Sequence, residues 1–378
     1  MLALAIIAAV LAGIGAAQCL AGAASVACFC RRRLAGPATL PAVTVLKPLH
    51  GDETLLEDAL ASVCRQDYAA FQIVFGVQDQ ADPAIRVVRR LQSRFPGRDL
   101  VLVVDATPHG PNRKVSNLIN MLRVARHDFL VIADSDIVCA RDYLTRIVAA
   151  SEQAGTGLVT TLYAGLPAPP DFPPRMGATQ ITHSFLPGAL LARAMGRRDC
   201  LGATMALRRD TLAAAGGLEA LVGHLADDNV LGRLVAGLGL AVRLADTVPL
   251  TIVSEATLGA LFRHELRWAR TIRVLVPGAF AASVLQYPIA WALLALLLSA
   301  GAPWAWTLVL LAWAVRAGAA LAVDRALRRR LPAGVAIAAP IWLLPLRELM
   351  SVAVMVASYA GRNVEWRGHR MRADDPAV

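Results

Sequence analysis

The hydrophobic positions fall into three unequal blocks. Residues 1–30 carry no charged side chain and form an apolar run longer than the ~20 residues a bilayer crossing needs. The run stops at Arg31-Arg32-Arg33. A cleavable leader has its positive charges before a shorter apolar run. This block therefore predicts a retained transmembrane helix, and the positive-inside rule places the polar segment after Arg33 in the cytoplasm. From about residue 42 to 257, short β-branched runs alternate with helical stretches. Strands are predicted at 42–46, 71–77, 100–104, 129–133, 157–162, 204–207 and 250–253, and helices at 53–64, 83–95, 114–125, 143–153 and 229–236. Strand–helix–strand repetition predicts an α/β domain built on a mostly parallel, buried sheet. Ligands of such sheets sit at the carboxyl ends of the strands.

The last third returns to the membrane. Residues 258–273 read as an amphipathic helix, with Leu258, Leu261, Phe262, Leu266 and Ile272 as its apolar stripe and Arg263, His264, Arg267 and Arg270 as its basic face. Such a helix lies on a membrane surface, where Trp268 also fits. Two apolar segments come next, 280–300 and 304–323, parted by Gly301-Ala302-Pro303. They predict a hairpin of two spans that ends at the basic cluster Asp324 to Arg330, again cytoplasmic. A third stretch, 331–360, is broken by Pro340, Pro345 and the pair Arg347-Glu348, and reads either as a broken span or as a re-entrant element. The basic tail 362–372 favours a cytoplasmic C-terminus. Residues 167–174 read as a proline-rich loop. The predicted organisation is a transmembrane helix (1–30), a cytoplasmic α/β domain (31–257), an interfacial helix (258–279) and a membrane region with a tail (280–378).

Composition agrees with this division. Of 378 residues 56% are hydrophobic and 17% charged, with a net charge of +10. That excludes a disordered chain and departs from the average soluble domain in the membrane direction. The positive charges cluster at membrane boundaries rather than on one aromatic-bearing face, so no nucleic-acid partner is expected. Six scattered cysteines form no CxxC pair, which suggests neither a zinc site nor a disulfide framework.

Acidic residues gather at strand ends. The apolar strand 129–133 runs into Asp134-Ser135-Asp136. Two carboxylates side by side repel, and a shared hard cation resolves the repulsion. The plain alternative is a turn, which Asp and Ser both favour. Asp79 and Asp82 come after strand 71–77; Asp82-Pro83 is also a helix start, whereas Asp79 is not explained that way. Pro111-Asn112-Arg113-Lys114-Val115-Ser116-Asn117 opens the next helix, and helix N-termini attract anions. Asp227 and Asp228 precede another helix, as caps or as a spare carboxylate base.

Taken in order, Gln78-Asp79-Gln80-Ala81-Asp82, Asp134-Ser135-Asp136, Asp227-Asp228 and His264-Glu265-Leu266-Arg267-Trp268 resemble the D, D, D, (Q/R)xxRW signature of membrane glycosyltransferases. The likeness is to glycosyltransferase family 21, the ceramide glucosyltransferase group. It extends over Leu46-Lys47-Pro48-Leu49, Ala214 to Leu218 and Trp366-Arg367-Gly368, from about residue 46 to 372. Residues 112–121 and 264–273 look most like the bacterial hopanoid-biosynthesis-associated members. His264 departs from the family, which usually has Gln or Arg there.

The resemblance implies a GT-A fold and an inverting transfer from a UDP-sugar, UDP-N-acetylglucosamine in that subgroup, to a lipid hydroxyl. The acceptor would be the hopanoid bacteriohopanetetrol, or ceramide with UDP-glucose. It implies Asp228 as base and Asp134 and Asp136 as ligands of Mg²⁺ or Mn²⁺. Asp79, Asp82, Lys114, Asp134, Arg267 and Trp268 would line the donor site, with Asp227, His264 and Asn117 in support. It implies a multi-pass protein of the bacterial inner membrane. A transporter is disfavoured by the large polar domain and the few spans. A lipid-binding scaffold has no need of four acidic motifs, and a polysaccharide synthase threads its polymer through more spans.

Overall fold

The computed structural model describes residues 1–331 and 340–361, together with the backbone of Asn363–Trp366 and His369–Arg372. Helix α1 (Leu2–Arg31) is the apolar N-terminal block, and it stops where Arg32 turns extended. A seven-stranded sheet comes next. Its strands are β1 (Val43–Pro48), β2 (Phe71–Val77), β3 (Asp99–Val104), β4 (Phe129–Ala133), β6 (Thr156–Thr160), β8 (Thr204–Arg208) and β9 (Ala241–Leu244), in the order β3-β2-β1-β4-β8-β6-β9. β3, β2, β1 and β4 are parallel; β8 runs against both neighbours. Helices α2 (Leu56–Cys64), α3 (Ala84–Arg94), α4 (Arg113–Leu122), α5 (Tyr143–Ser151), α8 (Arg209–Ala214) and α9 (Asp227–Gly237) accompany it. β1, β2 and β4 are buried along their whole length, because helices cover both faces of a parallel sheet. Alternate residues feed two cores: Val43, Val45, Ile73, Phe75 and Val131 one, Leu46, Val74, Leu130 and Ile132 the other. This is the GT-A arrangement.

A second, three-stranded sheet, β5 (Ile137–Val138), β10 (Leu250–Val253) and β7 (Ala164–Pro167), flanks the first. Between β7 and β8 the chain forms α6 (Phe172–Gln180), a π-helical segment Ile181–Phe185 and α7 (Leu186–Ala194). The sequence pattern did not predict these. It marked 167–174 as loop, whereas β7 includes Pro167 and α6 begins at Phe172 with proline in its first turn, where its missing N–H costs nothing. Other boundaries moved for local reasons. α2 begins at Leu56 rather than 53, because Leu55 is left-handed. α4 begins at Arg113 because the Asn112 side chain accepts from Val115 N at 3.1 Å.

The C-terminal third holds α10 (Leu258–Leu275), α11 (Pro277–Ala282), α12 (Pro288–Leu298), α13 (Pro303–Leu327) and α14 (Leu344–Ser358). Leu2–Arg31, Pro303–Leu327 and Ile341–Ser358 are long and apolar enough to cross a membrane, and they mark a membrane protein. Segment 280–300, expected as one span, is not straight: Pro277–Gln286 and Pro288–Leu298 meet at 69°. Residues 332–339 lie outside the described part, as do the side chains of the basic tail.

The bend explains a charge inside an apolar helix. A broken helix frees backbone N–H groups that hydrocarbon cannot satisfy. Glu348 Oε2 accepts from Ile289 N (2.8 Å) and Ala290 N (3.2 Å), the opening of α12. Its other oxygen receives Arg316 Nε at 3.1 Å, and Arg316 also donates to Ser184 Oγ. The neighbouring Arg347, fully buried, forks onto Glu265 of α10 at 2.8 and 2.7 Å. The pair that interrupts the apolar pattern therefore ties α14 to α10, α12 and α13. Glu348→Ala would leave Arg316 buried without its partner. We expect it to cost about 3–5 kcal/mol, read as a lowered unfolding midpoint in detergent; an unchanged midpoint would refute the role.

The two basic clusters meet at one end of the bundle. Arg330 is buried rather than free in its cluster. It donates to the Cys30 and Arg32 carbonyls at the end of α1 and, at 2.6 Å, to the Asp246 carbonyl of the α/β domain.

Candidate active site

β4 delivers Asp134 to the carboxyl edge of the sheet. Extended geometry ends there: Ser135 and Asp136 form a turn before β5. The turn still holds both carboxylates close. Asp136 is pushed up to about 6, first by burial and then by Asp134. Its Oδ2 accepts from Thr251 Oγ1 of β10 at 2.5 Å. Ser135 Oγ donates to Glu53 Oε2 at 2.5 Å, bringing a third carboxylate beside the turn. From beneath, the fully buried Lys47 donates to the Asp134 carbonyl at 2.5 Å. Burial lowers its pKa.

Lys114, in the first turn of α4, joins this turn to α9. Its Nζ lies 2.8 Å from Asp134 Oδ1 and 3.6 Å from Asp227 Oδ2. Burial works against its charge, but Asp134 and Asp227 outweigh it and hold its pKa above the usual lysine value. α4 can sit so near because residue 76 is glycine: a Cβ there would lie 2.4 Å from Asn117 Oδ1. Asn117 Nδ2 donates to the Gly76 carbonyl at 2.8 Å. Asn117 is thus a buried anchor under Lys114 rather than a group open to a substrate.

Asp227 and Asp228 are the first residues of α9, not residues before it, where the helix dipole favours negative charge. Asp227 is buried, its pKa raised chiefly by burial. Asp228 is half-buried. Burial and then Asp227 push it up to about 7, and its Oδ1 accepts from Asn229 N at 2.7 Å. The structure thus brings Asp134, Asp136, Lys114, Asp227 and Asp228 together.

Asp79 and Asp82 end β2 with local bonds. Asp79 is exposed and accepts from Ala81 N. Asp82 is buried and accepts from Gly51 N and from Ala84 N, at the start of α3. On α10 the buried side is Leu261, Glu265 and Ala269, while Leu258 and Ile272 of the expected apolar stripe stay exposed. His264 Nδ1 hydrogen-bonds Glu255, and its ring meets Trp268 edge-on at 4.4 Å. Trp268 packs with Tyr163 and Phe185 around Ala178, Ile181 and Val253. Arg267 is half-buried one residue earlier.

The donor set fits a hard divalent cation. Two carboxylates on one turn, one of them held above its ordinary pKa by burial beside the other, match an ion that takes one or two carboxylates and fills its shell with phosphate oxygens and water. Among the described residues no three His, Cys, Asp or Glu form a closed cage. Sequence reasoning missed Lys47, Glu53, Thr251 and Tyr163 at this site. A lysine inside an otherwise uncharged strand was the available signal for Lys47. The others are brought in by long-range pairing.

The model of "Glycosyl transferase family 21" matches residues 3–377. Ceramide glucosyltransferase 1 of Caenorhabditis elegans is 25% identical over 254 residues, 66% of this chain and 53% of the relative. Ceramide glucosyltransferase of Komagataella phaffii is 31% identical over 122 residues, 31% of this chain and 24% of the relative. At the first of these the chain spans about half the length of the curated relative it matches. Among solved structures, the mannosyltransferase PcManGT from Pyrobaculum calidifontis, in complex with GDP-Man and Mn²⁺, superposes with a TM-score of 0.56 at 20% identity, covering 94% of this chain and 99% of that one. That likeness is one of fold. With its family model matched along nearly its full length, the chain belongs to glycosyltransferase family 21.

Proposed function

We propose that the protein transfers one sugar, with inversion, from a UDP-sugar to a hydroxyl of a membrane lipid. The observation that carries this is the position of Asp228. It is a half-buried carboxylate with a pKa near neutrality, joined through Asp227 and Lys114 to the Asp134–Asp136 turn. A base near the working pH combines availability with proton affinity. In this reading Asp228 takes the acceptor's proton. Lys114 and Arg267 meet the diphosphate, Asp79 and Asp82 face the uridine, and Trp268 walls the site beside α10. Asp134 and Asp136 would hold Mg²⁺ or Mn²⁺, whose charge offsets that developing on the departing UDP.

We take UDP-N-acetylglucosamine and bacteriohopanetetrol as donor and acceptor, on the likeness at residues 112–121 and 264–273. Glucosylation of ceramide from UDP-glucose is the second reading, which the curated relatives favour. Mass spectrometry of lipid extracts from cells with and without the gene decides between them. Loss of a glycosylated hopanoid supports the first and loss of a glycosylated ceramide the second; loss of neither would refute lipid glycosylation.

The catalytic domain faces the cytoplasm of a bacterial inner membrane in this proposal, because both basic clusters meet at its side of the bundle through Arg330. A cysteine placed at exposed Asp79 should resist an impermeant maleimide in intact cells and react after lysis. Labelling in intact cells would reverse the topology.

A further inference from the structure

Tyr163 joins the charged site to the apolar side of the fold. It lies between β6 and β7. Its neighbour Ala164 pairs with Leu250, which pairs with Val138, two residues beyond Asp136. The small sheet thus fixes Tyr163 relative to the Asp134–Asp136 turn. Its ring sits 4.9 Å from that of Phe185 in the π-helical segment and belongs to the cluster with Trp268 of α10. Among the described residues its hydroxyl makes no hydrogen bond. Burial, then Asp228, Asp134 and Asp136, hold the phenol well above its ordinary pKa. It therefore stays a neutral donor, tied through the small sheet to the turn that carries Asp134 and Asp136.

A lipid acceptor divides in the same way, with a polar head toward the base and hydrocarbon toward the bilayer. We propose that Tyr163 positions the lipid acceptor, its hydroxyl donating to an oxygen of the lipid head next to the reacting hydroxyl while its ring packs in the aromatic wall. The attacking O–H then keeps its own proton for Asp228. A tyrosine suits this place, since it presents an apolar body and a polar tip. The assignment favours acceptors with a second oxygen near the reacting one, as in a polyol or an amido-alcohol. It rests on the transferase reading above.

The test is Tyr163→Phe, which keeps the ring on Phe185 and breaks no hydrogen bond seen in the structure. Initial rates are measured with UDP-N-acetylglucosamine and bacteriohopanetetrol, and with UDP-glucose and ceramide, in detergent micelles. The acceptor KM should rise roughly three- to tenfold, the worth of one neutral hydrogen bond. The donor KM and the acid limb of the pH profile should stay in place. An unchanged acceptor KM, an equal rise in donor KM, or a displaced acid limb would overturn the assignment. Sugar transfer to neither lipid by the unaltered protein would overturn the transferase reading and this assignment with it.

Discussion

Asp228→Asn should slow sugar transfer by about 10²–10⁴-fold, the usual worth of a general base, while UDP-sugar affinity stays nearly unchanged. The other acids are otherwise occupied. Asp134 is paired with Lys114 and shares its turn with Asp136, and Asp136 is held by Thr251. Asp82 is taken up by the backbone of Gly51 and Ala84. Asp227 is buried against Lys114. Asp228 is half-buried, and asparagine has its shape, so the hydrogen bond from Asn229 N and the fold should survive. The pH dependence has a definite sign. The base works as a carboxylate, and its pKa is raised to about 7. Turnover should therefore be full above that pH and fall as pH drops through it. The variant should lose this acid limb along with its rate. Near-normal turnover, or loss of donor binding as severe as in Asp134→Asn, would return Asp228 to the role of a helix-start acid.

Removing divalent metal should abolish transfer, by about 10³-fold or more. Lewis-acid stabilisation of a leaving diphosphate is worth several kcal/mol, and each ~1.4 kcal/mol is tenfold. The residues supply the reason. Asp136 is half-buried beside Asp134, and burial and then that neighbouring charge push its pKa up to about 6. Lys114 and Lys47 touch the Asp134 side of the turn, the second through its carbonyl. Dialysis against EDTA should stop transfer, and Mg²⁺ or Mn²⁺ should restore it. Mn²⁺ titrated in the presence of UDP should bind the unaltered protein and fail to bind Asp136→Asn. Full activity in excess EDTA, or unchanged Mn²⁺ binding by the variant, would sink the metal assignment.

The family was legible in the order of short motifs, because each motif is a local piece of chemistry at the end of an apolar strand. The sheet core was legible too. β1, β2 and β4 are buried on both faces, and their runs of Val, Ile, Leu and Phe announce it. The long charge-free run of α1 announced a span by itself.

Partner choice was not legible. Residues 164–194 give no clean period, because β7 is short, α6 opens with prolines and a π-helical segment offsets the helix repeat. Arg347 and Glu348 look like defects in an apolar stretch until Glu265, Arg316 and the opened backbone at Ile289 meet them. Buried charge is tolerated only when paired, and the pairing joins residues tens to hundreds of positions apart. The same holds at the site. Sequence alone determined that Asp134, Asp136 and Asp228 are acids at element ends. Only the tertiary structure decided that Lys114 lies between two of those ends, that Thr251 and Glu53 hold the turn, and that the small sheet ties Tyr163 to that turn, because hydrogen bonds and charges act over a few ångströms of space, not along the chain.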